Sequence, residues 1–177
     1  FDHAPGFELN ESVSIIPYFN CGSCIACRCG KSNCCVHMQV CGVHIDGGMS
    51  EFISVPSESL LHGHGLSLDE LALVEPLSIG AHGVRRAGVE AGEFVLVVGA
   101  GPIGLGTMEF ARIAGANLIA LDVNEHRLKF CKEQLNIKHI INGTQNDALE
   151  QIRDITNGDM PSVVIDATGN LAAINQA

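Results

Sequence analysis

The stretch from Phe94 to Asp122 constrains this chain more than any other. Phe94-Val95-Leu96-Val97-Val98 is a continuous apolar run, as in a strand buried on both faces. Gly99-Ala100-Gly101-Pro102-Ile103-Gly104 follows, with three glycines in the pattern G-x-G-x-x-G. A helix-length segment rich in Ala, Met and Ile leads to Gly115, and Leu118-Ile119-Ala120-Leu121-Asp122 is a second apolar strand ending in an acid. In such a unit the first glycine permits the tight turn, the second lets the backbone approach a pyrophosphate, and the third lets helix and strand pack closely. The free N–H groups at the helix start, beside Pro102 and Ile103, and the helix dipole favour phosphate charge. A carboxylate at Asp122 can accept hydrogen bonds from both ribose hydroxyls and would repel the extra phosphate of NADP, so the predicted ligand is NAD. The glycine pattern alone is a weak signal; the flanking strand and helix, with the acid roughly 20 residues on, make it a strong one. A glycine turn in another kind of α/β protein is the competing reading.

From Glu93 onward strands and helices alternate. Helices are predicted over Glu125–Gln134 and Asp147–Thr156, and strands at His139–Ile141 and Ser162–Asp166. Alternation of this kind predicts a parallel sheet with right-handed crossovers. Only four strands are present where a doubly wound dinucleotide domain usually has six, so the sheet reads as cut.

Before Glu93 the pattern is different. Val13–Phe19 reads as a strand interrupted by Pro17. Cys21–Cys35 is too rich in Gly, Ser, Asn and Cys for a regular element. Val36–Val43 fits either strand or irregular structure, and Met49–Val55 alternates enough for a strand ended by Pro56. Ser67 and Glu70 form a capping box for a helix in which Pro76 forces a break or a new start. The domain junction is placed around Pro76 to Ala81, giving domains over 1–77 and 78–177.

Cys21, Cys24, Cys27 and Cys35 have the spacing C-x2-C-x2-C-x7-C. Four thiolates in one short loop can surround a zinc ion, and a closed shell of that kind folds the loop without doing chemistry. An iron–sulfur cluster is the main alternative. Cys29 and Cys34 are surplus, and Cys41 and Cys131 read as small buried apolar residues. Eight cysteines without a visible signal peptide point to a reducing compartment and to metal rather than disulfides, hence to the cytoplasm. A formal net charge of -10 argues against a nucleic-acid partner. No apolar run is long enough to span a membrane, so no membrane partner is expected.

The cysteine lobe, then Glu75-Pro76-Leu77-Ser78-Ile79-Gly80, then the glycine turn, in that order, resemble the zinc-dependent medium-chain alcohol and polyol dehydrogenases, most of all the sorbitol, threonine and sugar-acid dehydrogenase branch. The resemblance runs from about Val13 to the last residue. It implies an α/β fold: a partial Rossmann domain, the first four strands of a doubly wound parallel sheet, preceded by part of a GroES-like β domain with a four-cysteine zinc lobe. It implies that the lobe holds structural zinc and that Glu75 matches a catalytic-zinc ligand; a helix acid before Pro76 is the bland alternative. His44 and Asp46 match a segment near the substrate cleft, with a polar turn as the alternative. Gly99, Gly101, Pro102, Ile103, Gly104 and Asp122 match the NAD site, with Arg127 near the adenosine ribose and Thr168 beside the cofactor; a solvated helix cation is the other reading of Arg127.

The departures are as informative. A catalytic-zinc Cys and a Gly-His-Glu motif usual near the family's N-terminus are not present; His3, in Asp2-His3-Ala4-Pro5, is not that motif. Asn10-Glu11-Ser12 stands where Gly-Asp-Arg is usual. The chain therefore reads as an internal piece of a dehydrogenase of roughly twice its length, on the usual domain sizes. The implied activity is hydride transfer between an alcohol (polyol, sugar acid or hydroxy amino acid) and NAD, in a homo-oligomer, dimer or tetramer. A non-catalytic NAD- and zinc-binding fragment or sensor is the alternative. His62, His64, His82 and His139 receive no role.

Overall fold

The computed structural model describes residues 5–145 and 147–176, so His3 lies outside the described residues. The chain divides into two compact units, Phe1–Val74 and Glu75–Ala177. Among the described residues no helix is long and apolar enough to cross a membrane.

The first unit contains β1 (Val13–Ile15), β2 (Tyr18–Phe19), α1 (Ile25–Arg28), β3 (Gln39–Val40) and β4 (Leu60–His62). β1 pairs antiparallel with β4, placing Val13 opposite His62, and β2 pairs antiparallel with β3. Two expectations fail here. The cysteine segment does carry regular turns, α1 and a 3-10 turn at Ser32–Cys34. Composition rules miss them because the backbone there is bent to bring sulfurs together, not to satisfy local propensity. The strand expected over Met49–Val55 does not form: the segment has no strand assignment, and Met49 and Phe52 are exposed. Alternation makes a strand only where another strand lies alongside.

α2 spans Leu68–Ala87. Its start is the expected capping box: the Glu70 N–H donates to Ser67 Oγ at 3.3 Å, and the Ser67 N–H donates to Glu70 Oε2 at 2.7 Å. The Ser67 backbone N–H first, and then the Ser67 hydroxyl, which donates to Glu70 Oε2 at 2.7 Å, hold the Glu70 carboxyl below its ordinary pKa. The break expected at Pro76 is absent, since the helix runs through it. Proline removes one backbone donor but its fixed φ suits a helix. Tertiary contacts beyond it supply the compensation, with Gly80 buried and Val84 in the same core cluster as Met108. Pro76→Ala is therefore expected to stabilise the chain by about 2 kcal/mol, the helix-interior gain less the lost stiffness of the unfolded chain. The urea midpoint measures it; no increase would mean that the ring itself makes contacts worth as much.

The second unit continues with β5 (Phe94–Val98), α3 (Pro102–Ile113), β6 (Asn117–Asp122), α4 (Glu125–Gln134), β7 (His139–Asn142), α5 (Ala148–Ile155), β8 (Val163–Asp166) and α6 (Leu171–Gln176). The sheet order is β7-β6-β5-β8, and every pair is parallel. Both faces are covered, as the continuous apolar run of β5 requires. Val95 and Val97 pack with Met108, Ala111, Leu118 and Ala120 on one face, while Leu96, Val98, Ile119, Ile141 and Ile152 form the other cluster. Strand order reverses at β5, because β6 and β7 lie to one side of it and β8 to the other. A doubly wound sheet takes its ligand in the crevice at the carboxyl ends of the strands that flank such a reversal.

Candidate nucleotide and metal sites

The loop after β5 lies at that reversal. Gly99 has φ +100°, and a Cβ built there would come within 2.9 Å of Thr168 Cγ2 in the loop after β8. Gly104 is tighter, since its Cβ would stand 1.8 Å from the Gly99 carbonyl oxygen. The missing side chains therefore let α3 begin against the end of β5. Gly101 is the N-cap of α3 and supplies no side-chain cap, and Pro102 occupies the first turn. The N–H groups of Ile103 and Gly104 stand in the first turn, where no intrahelical partner exists, and are suited to an anion. The space at Gly101 is open: a methyl added there would have Arg127 Nη1, at 4.0 Å, as its near neighbour.

Asp122 closes β6 and is 6% exposed. Its Oδ2 accepts the Ala100 N–H at 2.6 Å and its Oδ1 accepts the Asn124 N–H at 2.8 Å. One carboxylate thus ties the glycine turn to the start of α4. Each oxygen retains a second lone pair, so the group can still accept from a sugar hydroxyl. Arg127 Nη1 stands 3.8 Å from Asp122 Oδ2. Asn124 caps α4 by accepting the His126 and Arg127 N–H groups at 2.9 and 3.2 Å, which places the arginine in the first turn.

Across the crevice Thr168 is held by Asp166. The Thr168 N–H donates to Asp166 Oδ1 at 3.1 Å, its hydroxyl donates to Oδ2 at 2.9 Å, and the Gly169 N–H reaches Oδ1 at 3.3 Å. Gly99, Gly101, Asp122, Arg127, Thr168 and Asn170 line one cavity of about 500 Å³. Sequence reasoning passed over Ala100, Asn124 and Asp166. The signals for the last two were an Asn directly before a helix and an acid at a strand end just before Thr-Gly.

In the first unit the sulfurs of Cys21, Cys24, Cys27 and Cys35 all lie within 4.8 Å of one another. Four sulfurs about 2.3 Å from one ion would be about 3.8 Å apart, so the cluster needs little adjustment to hold zinc. Backbone donors already face the sulfurs: the Cys24 N–H points to Cys21 Sγ at 3.4 Å, and the Cys21 and His37 N–H groups each reach Cys35 Sγ at 3.3 Å. The Ser23 side chain and then its backbone pull the Cys21 thiol down to about 5, while desolvation pushes Cys27 up to about 11. Such opposed shifts mark thiols that cannot all ionise together, a conflict that a bound divalent cation removes. Arg28 Nη1 donates to the Ser23 carbonyl across the same loop. Cys29 and Cys34 are exposed and outside the cluster; Cys131 is buried and Cys41 only half-buried.

Among the described residues the four cysteines are the sole group of three or more metal-type ligands. Glu75 lies in α2, half-buried, with its carbonyl accepting the Ser78 hydroxyl at 2.7 Å. His44 Nδ1 accepts the Val40 N–H at 3.0 Å, and the Asp46 carbonyl accepts from Cys41 Sγ at 3.5 Å, so both belong to a local turn.

Known proteins resemble the chain along both units. Residues 2–64 match the model of the alcohol dehydrogenase GroES-like domain, and residues 102–177 match that of the zinc-binding dehydrogenases. L-galactonate-5-dehydrogenase of Escherichia coli (strain K12) is 42% identical over 165 residues, covering 93% of this chain and 48% of that protein. Sorbitol dehydrogenase of Bacillus subtilis (strain 168) is 34% identical, over 97% of this chain and 49% of its own length. A crystal structure from E. coli CFT073, described as a short chain alcohol dehydrogenase complexed with the cofactor NADH, superposes with a TM-score of 0.83 at 31% identity, covering 94% of this chain and 50% of that one. The chain thus spans about half the length of the curated relatives it matches.

Proposed function

The chain belongs to the zinc-dependent medium-chain alcohol dehydrogenase family, and from that membership we propose that the whole protein is a zinc- and NAD-dependent oxidoreductase transferring a hydride between a secondary alcohol and NAD. A polyol, a sugar acid or a hydroxy amino acid is the proposed substrate class. The observation that carries the reading is the junction of Asp122 with the glycine turn at the point where strand order reverses. In this reading the α3 amides hold the pyrophosphate, Asp122 accepts from the adenosine ribose, Arg127 flanks it, and Thr168 forms the far wall. When bound, the nicotinamide supplies the hydride acceptor, while the protein binds, orients and excludes water. Residues 1–77 form part of the catalytic domain and 78–177 part of the nucleotide domain. The four cysteines close the shell of a structural zinc. Glu75 is proposed as one ligand of a catalytic zinc, a site that takes three protein ligands. A homo-oligomer in the cytoplasm is the proposed setting.

The second reading is an NAD- and zinc-binding unit without turnover. Turnover of a sorbitol-like polyol by this chain would exclude it.

Calorimetry on the zinc-loaded chain tests the nucleotide site. One NAD per chain is expected. Asp122→Asn is expected to weaken NAD about tenfold or more, the scale of one charged hydrogen bond, while NADP loses nothing. General damage to the loop would weaken both nucleotides alike. An unchanged NAD-to-NADP ratio in the variant would remove Asp122 from the site.

A further inference from the structure

The sequence His62-Gly63-His64 stands at the end of β4, in the first unit, and takes no part in the nucleotide or cysteine sites. His62 is held on two sides. Its Nδ1 lies 2.5 Å from Glu11 Oε1, and its ring stacks on Phe7 with centroids 4.2 Å apart and planes inclined by 20°. The His64 ring lies 5.8 Å from that of His62, tilted by 53°. We propose that His62 and His64 together form a second site for a divalent transition-metal ion, with Glu11 as the positioning residue that orients His62.

The chemistry follows from the contacts. A histidine that donates its Nδ1–H to a carboxylate keeps its lone pair on Nε2, the arrangement in which imidazole binds metals. Two imidazoles holding one ion at about 2.0–2.1 Å in tetrahedral geometry have ring centroids about 5 to 5.5 Å apart. The observed ring separation of 5.8 Å lies close to that range. Glu11, His62, Gly63, His64 and Leu66 line an open cavity of about 580 Å³, which leaves room for waters to complete the shell. Glu11 is the charged group facing the pair. The His62 hydrogen bond first, then the Glu8 backbone, holds its carboxyl below the ordinary value. A neutral two-imidazole donor set selects zinc, nickel or copper over magnesium or calcium. His64 also occupies a left-handed conformation, φ +48°, followed by Gly65 at +82°. Asparagine tolerates that conformation, which makes it the substitution that removes the imidazole with least strain.

Zinc is the probe. The chain already carrying one zinc is titrated with more at pH 7.5 against a chromogenic chelator, and a second equivalent is expected. His64→Asn and His62→Gln should each weaken the second equivalent at least tenfold and leave the first in place. Glu11→Gln should weaken it less. Ring-proton NMR signals of His62 and His64 should shift together as the second zinc enters. Absence of a second equivalent overturns the proposal, as does its survival in both histidine variants. Its loss in Glu75→Gln, with the histidine variants unaffected, also overturns it, because the ion would then belong to Glu75.

Discussion

Gly104→Ala is expected to destabilise the nucleotide unit by at least about 3 kcal/mol and to abolish NAD binding, the upper range for overpacking. Helix propensity alone would predict the opposite, since alanine is favoured over glycine inside a helix by about 1 kcal/mol. The geometry decides between them. The added Cβ would lie 1.8 Å from the Gly99 oxygen and 2.8 Å from the Gly99 carbonyl carbon. Both are backbone atoms, so no rotamer change relieves the contact. α3 would have to withdraw from β5 and open the cluster of Val95, Val97, Met108 and Ala111, whose members are all buried. Gly101→Ala is the matched control. Its methyl would meet nothing closer than Arg127 Nη1 at 4.0 Å, so the unfolding midpoint should hardly move while NAD affinity falls. Urea unfolding and NAD calorimetry on the two variants separate packing from binding. A Gly104→Ala protein within about 1 kcal/mol of the parent, on the scale of an ordinary surface change, would refute the close approach of α3 to β5.

Stripping metal with a chelator under reducing conditions is expected to unfold the segment from Asn20 to His37 and leave the parallel sheet folded. The physical reason is the distribution of core. The buried hydrophobic residues of the first unit are Cys35 and Leu71 alone among the described residues; the remainder lie in the second. α1 has 4 residues and buries none of them. A helix of that length does not hold in water by itself. Binding of structural zinc contributes about 10–16 kcal/mol in small zinc-finger peptides, far more than those turns can supply. Hydrogen exchange resolves the two units: amides such as Cys29, Cys34 and Cys35 should lose protection on chelation, while those of β5 and β6 keep theirs. Cys24→Ser should reproduce the loss without chelator. Retained protection around Cys29 after complete metal removal would show that the loop folds without an ion.

The parallel sheet and the cysteine cluster were legible because both are written in short-range rules. A buried strand announces itself as a five-residue apolar run, a phosphate turn as glycines at fixed offsets, a zinc lobe as cysteine spacing. The bounds of α4 agree at both ends, Glu125–Gln134. Met49–Val55 misled because alternation says nothing about whether a partner strand is present. Pro76 misled because the contacts that carry α2 through it come from residues far along the chain.

Local patterning was enough to specify the fold class, the order of elements in the second unit and the four sulfurs that gather in the first, since each depends on hydrophobic periodicity or on ligands a few residues apart. How the crevice is held emerges from the folded chain alone. Ala100 and Asn124 meet on the two oxygens of Asp122, and Thr168 closes on Gly99 across the sheet reversal, once parallel pairing has brought three strand ends together. The same holds for Glu11 and His62, 51 positions apart, which share one contact. Long-range pairing selects such partners through register, and no local pattern encodes the register of strands that are distant in the chain.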